Sequence, residues 1–292
     1  MFSIDHIIAE LWPQSEPNSW QQRLTRFLLR PVYLQVSKPD SWSNRLLKRL
    51  MHEKEFQEIA TRYPQHRGLD MAEKVLESLN LRCGVSERSL EHIPKSGPLI
   101  IVANHPTSLL DGFVLTNAVS RVRRDIKIIS NRLMMLFLEP VASLLIPVDQ
   151  ISHCVVQDAR KQMHEQLESG GVLVIFPAGA VSRVLATGLQ DIEWQSGFVR
   201  MARKYQASIL PVFIHGRNSL GYYAMDMVSN SLSAILLGMK QMFRRKNSTM
   251  HLTIGEPIPF DGFDTLKLTD SEIAEKFRKH VMQLGKRPPS RL

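Results

Sequence analysis

From Leu90 onward the chain repeats one pattern: a short unbroken apolar run, a punctuation of Gly, Pro or Asn, then a segment whose apolar residues recur at helical spacing. Apolar runs without polar alternation read as strands buried on both faces, and strands alternating with helices build a largely parallel, covered sheet. The predicted strands are Leu99–Ala103, Ile126–Ser130, Val172–Phe176, Ser208–Ile214 and Met250–Ile254. The predicted helices are Ser108–Val122, Val155–Glu168, Ser196–Gln206 and Asp270–Leu284, with Gly170-Gly171 stopping the second and Thr269-x-x-Glu272 opening the last. The fold class is therefore α/β. Residues 1–89 show no sustained strand pattern and read as a helical region packed on a domain of residues 90–292.

The first predicted strand runs into Asn104-His105-Pro106, and Ser108 begins the next helix, so a histidine stands where a strand hands over to a helix. In open α/β sheets, ligands bind outside the carboxyl ends of the strands. His105 and Asp111 are six positions apart, and a short loop followed by a helical turn brings the carboxylate beneath the imidazole. One ring nitrogen held by an acid, the other free to take a proton, is the arrangement of a histidine general base. Ser108-Leu109-Leu110-Asp111 equally reads as a capping box, in which Asp111 only closes the helix start. Both readings stand on the sequence.

The formal net charge of +9 points to an anionic partner, either nucleic acid or an anionic membrane surface. With 7% aromatic residues and no nucleic-acid-binding module, nucleic acid is not expected. Two stretches suit a membrane surface. Trp20 to Arg30 puts Trp20, Leu24, Phe27 and Leu28 on one helical face with Arg23, Arg26 and Arg30 off it, and Ser231 to Lys246 carries an apolar stripe into Arg244-Arg245-Lys246. Each reads as well as a helix packed on the core with a solvated basic side.

The amino-terminal segment lacks the pattern of a signal peptide. The most apolar long run, Leu133 to Val148, is broken by Glu139 and Pro140 and is shorter than the roughly 20 residues a spanning helix needs. The expectation is a cytoplasmic protein, peripheral on the inner face of the cell membrane. Cys83 and Cys154 form no disulfide or zinc pattern, and His153, His164, His215 and His251 have no partner at metal-ligand spacing. Neither a Walker A sequence nor a dinucleotide fingerprint is present, so no metal or cofactor is expected.

Two further blocks follow the His105 stretch. Val174-Ile175-Phe176-Pro177-Ala178-Gly179-Ala180-Val181-Ser182-Arg183 and Leu210-Pro211-Val212-Phe213-Ile214-His215-Gly216-Arg217-Asn218-Ser219 each run a strand into a Gly-containing turn that bears polar groups. In this order the three blocks resemble the glycerolipid and lysophospholipid acyltransferase superfamily over about residues 90–260, and most resemble its hemolysin-like branch, which includes lyso-ornithine-lipid acyltransferases. Trp194 to Val199 shares that resemblance.

The resemblance implies that His105 is the general base, oriented by Asp111, removing a proton from a lysolipid hydroxyl that attacks an acyl thioester. It implies substrate contacts from Asn104 in the first block, from Phe176, Pro177, Gly179, Ser182 and Arg183 in the third-motif block, and from Arg217 and Asn218 in the last. The donor it implies is acyl-coenzyme A or acyl carrier protein, and the other partners are a lysolipid acceptor and a membrane surface. Three departures are visible. Five residues separate His105 from Asp111 where four are usual, the second-motif region from Ala142 to Gln150 has no arginine, and alanine stands at both 178 and 180 in place of a glutamate. Either Arg183, Arg217 or Arg200 takes over the phosphate contact, or the acceptor carries no bare phosphate. The alternative on the same fold is a lipid-binding or adaptor protein without turnover.

Overall fold

The computed structural model describes residues 49, 52–131, 138–148, 157–185, 188–223, 230–265 and 267–286. The Trp20–Arg30 stretch, His153 and Cys154 lie outside them. In chain order the first elements are α1 (Glu53–Arg62), α2 (Gly68–Ser78), β1 (Arg82–Gly84), α3 (Glu87–Leu90), β2 (Leu99–Ala103), α4 (Leu109–Ser120) and β3 (Ile126–Asn131). A 3-10 turn (Glu139–Leu144) leads into β4 (Leu145–Val148), followed by α5 (Gln157–Glu168), β5 (Val172–Ile175) and the hairpin β6 (Arg183–Leu185) and β7 (Gly188–Gln190). The chain continues through α6 (Gly197–Tyr205), β8 (Ser208–His215), α7 (Asn230–Arg244), β9 (Thr249–Ile254), α8 (Asp261–Asp264) and α9 (Asp270–Leu284).

Seven strands form one sheet in the order β1-β9-β8-β2-β5-β3-β4. β2 lies between β8 and β5 and pairs with both in parallel, Ala103 opposite Val212 and Val102 opposite Ile175. β3 and β4 extend the parallel row, whereas β9 runs antiparallel to β8. All five residues of β2 are fully buried, which is what an unbroken apolar run signals. Leu99, Ile101 and Ala103 face a core shared with α2, α4 and Met239 and Met242 of α7. Ile100 and Val102 face the other core, built by α5, α6 and α9. Helices thus cover both sides of the sheet, as the alternating pattern requires. The capping box expected at Thr269 and Glu272 is formed at the start of α9.

Four strands escape the sequence pattern: β6 and β7 of the hairpin, and β1 and β4 of the main sheet. β4 contains Pro147 and is tolerated as an edge strand, where a missing N–H breaks no interior ladder. β1 is three residues long and pairs in parallel with β9. At Gly84 a Cβ would come within 2.4 Å of the His251 ring, so this pairing needs glycine. The expectation of helices alone before residue 90 is corrected accordingly: β1 joins the sheet, and Met71, Val75 and Leu76 of α2 share the core of β2. The sequence also suggests a helix from Arg45 to Ala60; its residues 45–48 and 50–51 lie outside the described residues, and α1 starts at Glu53 after His52, which takes a left-handed φ of 50°. Among the described residues no helix is long and apolar enough to cross a membrane. Over the described part of α7, Met239 and Met242 are buried, so that stretch belongs to the core. The side chains of Leu232, Ile235 and Leu236 lie outside the described residues.

Candidate active site

Because β2, β5 and β8 are parallel neighbours, their carboxyl ends open on one edge of the sheet, and the three sequence blocks become adjacent loops. Asn104 joins two of them. Its side-chain amide donates to the Ile214 carbonyl at 3.1 Å, and its Oδ1 accepts from the Ile214 N–H at 2.7 Å. The buried amide thus ties the exit of β2 to the end of β8.

One residue on, the His105 side chain is 21% exposed, and its Nδ1 lies 2.9 Å from Oδ2 of fully buried Asp111. The two groups are in close polar contact without a well-aligned hydrogen bond. Contacts of this kind commonly tighten only when substrate is bound. The Phe176 ring stacks on the imidazole with centroids 4.2 Å apart and planes 22° from parallel, which restricts the ring's rotation. Asp111 also accepts from the Thr107 N–H at 2.8 Å and from the Thr107 hydroxyl. The capping-box reading is therefore corrected: Ser108 makes no side-chain cap and adopts φ 70°, and Asp111 holds Thr107 and faces His105 instead. A non-glycine residue at positive φ is a local strain that the surrounding contacts must hold.

Behind this corner lies a second carboxylate that the sequence reading missed. Asp191 is 2% exposed. Its Oδ1 accepts from the His105 backbone N–H at 3.3 Å and from the Ser182 hydroxyl at 2.5 Å, and its Oδ2 accepts from Trp194 Nε1 at 2.9 Å. Burial pushes this carboxyl above its ordinary value, and the Ser182, Trp194 and His105 donors pull it part-way back. The Ser182 N–H donates to the His105 carbonyl at 2.8 Å, and the Gln195 N–H to the Pro177 carbonyl at 2.9 Å. The loops after β2 and β5 and the lead into α6 are thereby laced together at the histidine.

His105 opens into a cavity of about 830 Å³ lined largely by apolar side chains, among them Ile128, Leu138, Val141, Leu145 and Phe198. That is the size and character of a small-molecule site. Phe176, Pro177 and Gly179 also line it. α5 contributes Arg160 and His164, and α6 contributes Arg200 and Lys204. Among the described residues no cluster of three His, Cys, Asp or Glu side chains is placed to hold a metal.

A family model described as "Acyltransferase" matches residues 34–286. The chain belongs to the acyltransferase family. Among curated members, the lyso-glycine lipid O-acyltransferase of Bacteroides thetaiotaomicron is 29% identical over 244 residues, covering 82% of this chain and 88% of the relative. The enzyme of the same name from Phocaeicola vulgatus is 28% identical over 244 residues, covering 82% of this chain and 86% of the relative. The solved structure of the 1-acyl-sn-glycerophosphate (LPA) acyltransferase PlsC from Thermotoga maritima matches with a TM-score of 0.47 and 17% identity, covering 92% of this chain and 99% of that one.

In this acyltransferase, not every residue singled out from the sequence reaches the cavity. Asn104 and Ser182 are buried, bonded to Ile214 and Asp191, and lie outside the cavity lining. Arg183 is exposed at the start of β6 and lies outside the cavity lining. Arg217 is exposed outside it as well, its carbonyl accepting from Arg245, and Asn218 is buried with its N–H donated to the Tyr223 hydroxyl at 2.9 Å. Gly179 takes φ 63° to close a turn, and its N–H is donated to the Phe176 carbonyl at 3.0 Å, leaving it no donor for an oxyanion. The cations that do line the cavity, Arg160, Arg200 and Lys204, come from helices. Of these only Arg200 stands out in the sequence. Arg160/His164 and Arg200/Lys204 are i, i+4 pairs, a spacing that reads equally as a solvated helix face.

Proposed function

We propose that this acyltransferase moves a fatty acyl group from an acyl thioester to the hydroxyl of a lysolipid, with His105 as general base. The observation that carries the reading is the His105 imidazole, 2.9 Å from a buried carboxylate and opening into a largely apolar cavity. The similarity to lyso-glycine lipid O-acyltransferases supports a lysolipid acceptor. In the reaction the Asp111 carboxylate favours the tautomer with the proton on Nδ1, leaving Nε2 to accept the proton of the acceptor hydroxyl. The oxygen forms a bond to the thioester carbonyl carbon, and the carbonyl pair moves onto its oxygen. When that pair returns, the C–S bond breaks, and the thiolate takes the proton from the imidazolium. The thioester arrives activated, so neither an acyl-enzyme nor a cofactor is needed. Acyl-coenzyme A and acyl carrier protein both meet this requirement as donors.

A basic, net +9 chain whose described residues contain no spanning helix suits reversible binding to an anionic membrane face, where lysolipids reside. The experiment is acyl transfer by the purified chain from either donor to a lysolipid panel, followed by mass spectrometry. Wild type is expected to form product, and His105→Ala to lower kcat roughly 10²–10⁴-fold with its fold retained. Wild-type-like turnover by that variant rejects the base. Binding to liposomes with no turnover on any acceptor favours a lipid-binding role on the same fold.

A further inference from the structure

The cavity is not electrically neutral. Its lining holds Arg160, Arg200 and Lys204 and, among the described residues, no aspartate or glutamate. Arg160 and His164 are one turn apart on α5, and Arg200 and Lys204 one turn apart on α6, so each pair shares a helix face. The two faces converge. His164 Nδ1 is 2.5 Å from the Tyr205 hydroxyl, and the Lys204 ammonium stands 5.0 Å over the Tyr205 ring. Burial, then the nearby charges of Lys204 and Arg160, hold His164 below its ordinary pKa.

Among the described residues the neighbouring acids offset this charge only in part. Arg200 lies 4.0 Å from one oxygen of Asp270, whose other oxygen is bound by Arg203. Glu168, which acts on His164 in the opposite sense, does not line the cavity. Like charges gathered at the mouth of an apolar space repel one another, and an anion among them relieves that repulsion.

We propose that Arg160, Arg200 and Lys204 form a subsite for an oxyanion, carboxylate or phosphate, on the head group of the lipid acceptor, while the apolar lining takes its chain. The term acceptor rests on the acyl-transfer reading; anion binding does not. The subsite lies on α5 and α6, across a cavity that Leu144, Leu145 and Val148 of the arginine-free second-motif region also line. It supplies the positive charge that Arg183 and Arg217, outside the cavity, do not.

The first test is equilibrium binding of the full-length chain to laurate, dodecyl phosphate, methyl laurate and inorganic phosphate, each below its micellar concentration. Wild type is expected to bind the two anionic amphiphiles about tenfold or more tightly than the neutral ester, one charge-assisted contact being worth about that factor. In Arg200→Gln/Lys204→Gln this preference is expected to collapse towards one, and in Arg160→Gln to fall part of the way. A preference unchanged in these variants, or absent from wild type, overturns the subsite. Inorganic phosphate binding as tightly as dodecyl phosphate overturns its assignment to a lipid.

The second test uses an N-acetylcysteamine thioester, a donor without phosphates, with lysolipids whose heads are charged or esterified. A charged-over-neutral preference in kcat/KM that survives this donor and falls about tenfold in the double variant supports the acceptor head group. A preference seen only with acyl-coenzyme A places the cations on the donor and overturns that assignment. Preserved amphiphile selectivity with no turnover on any acceptor rejects acyl transfer and keeps the anion subsite.

Discussion

The corner around His105 and the cationic wall on α5 and α6 border the same cavity and are built in opposite ways. At the corner, the groups around the imidazole are buried and bonded: Asp111 holds Thr107, Asp191 holds the His105 N–H, and Asn104 grips both backbone groups of Ile214. On the wall, Arg160, Arg200 and Lys204 are exposed side chains on long flexible stems. A group that must meet a reacting atom to within a fraction of an ångström needs preorganisation, which buried hydrogen bonds supply. A group that only recognises charge tolerates motion, and water lowers the cost of gathering like charges.

That contrast can be broken at four points. Asp111→Asn keeps the shape and removes the charge, and is expected to lower kcat roughly a hundredfold or more while acceptor KM moves little. A loss confined to KM would put Asp111 in recognition and dissolve the distinction. Asn104→Ala strands the Ile214 N–H and carbonyl, at a cost of about 1–3 kcal/mol in urea unfolding, with a fall in kcat as His105 loses its anchor.

Asp191 gives the corner a pH signature. Its folded-state pKa is raised, so the folded state holds this proton more tightly than the unfolded state. The resulting stability is fully present below the ordinary carboxyl value and is lost as pH rises through the folded value. Relative to Asp191→Asn, wild-type stability is therefore expected to decline as pH rises from about 4, by at most about 1.4 kcal/mol per pH unit within that window. A difference between the two that stays flat with pH contradicts a raised carboxyl. The smallest effect is expected on the wall: Lys204→Ala should change stability by less than about 0.5 kcal/mol and be visible only in binding an anionic head group. Destabilisation on the scale of Asn104→Ala would mean that the wall is structural too.

The legible parts share a cause. β2, β5 and β8 announce themselves because a strand covered on both faces must be apolar at every position, and the turn after each must break with Asn, Pro or Gly. His105 and Asp111 are close in sequence, so one loop and one helical turn decide their meeting. β1 and β4 stay hidden because three or four residues with a Gly or a Pro carry no period, and partner strands impose their conformation. Asp191 stays hidden because no spacing rule links it to His105, 86 positions away. Ser182 sits in a motif and reads as a ligand contact, yet its hydroxyl is taken by that same buried carboxylate.

The amino-acid order alone determined a covered α/β sheet, its principal strands and a histidine at a strand exit, because burial and backbone periodicity are local properties of the chain; that Asp111 faces His105 and does not cap the helix was decided by the fold. The tertiary structure decided which polar groups look inward to brace the corner and which cations look into the cavity. Those directions depend on the register of three parallel strands and on how two helices cross the sheet, and neither is encoded at any single position.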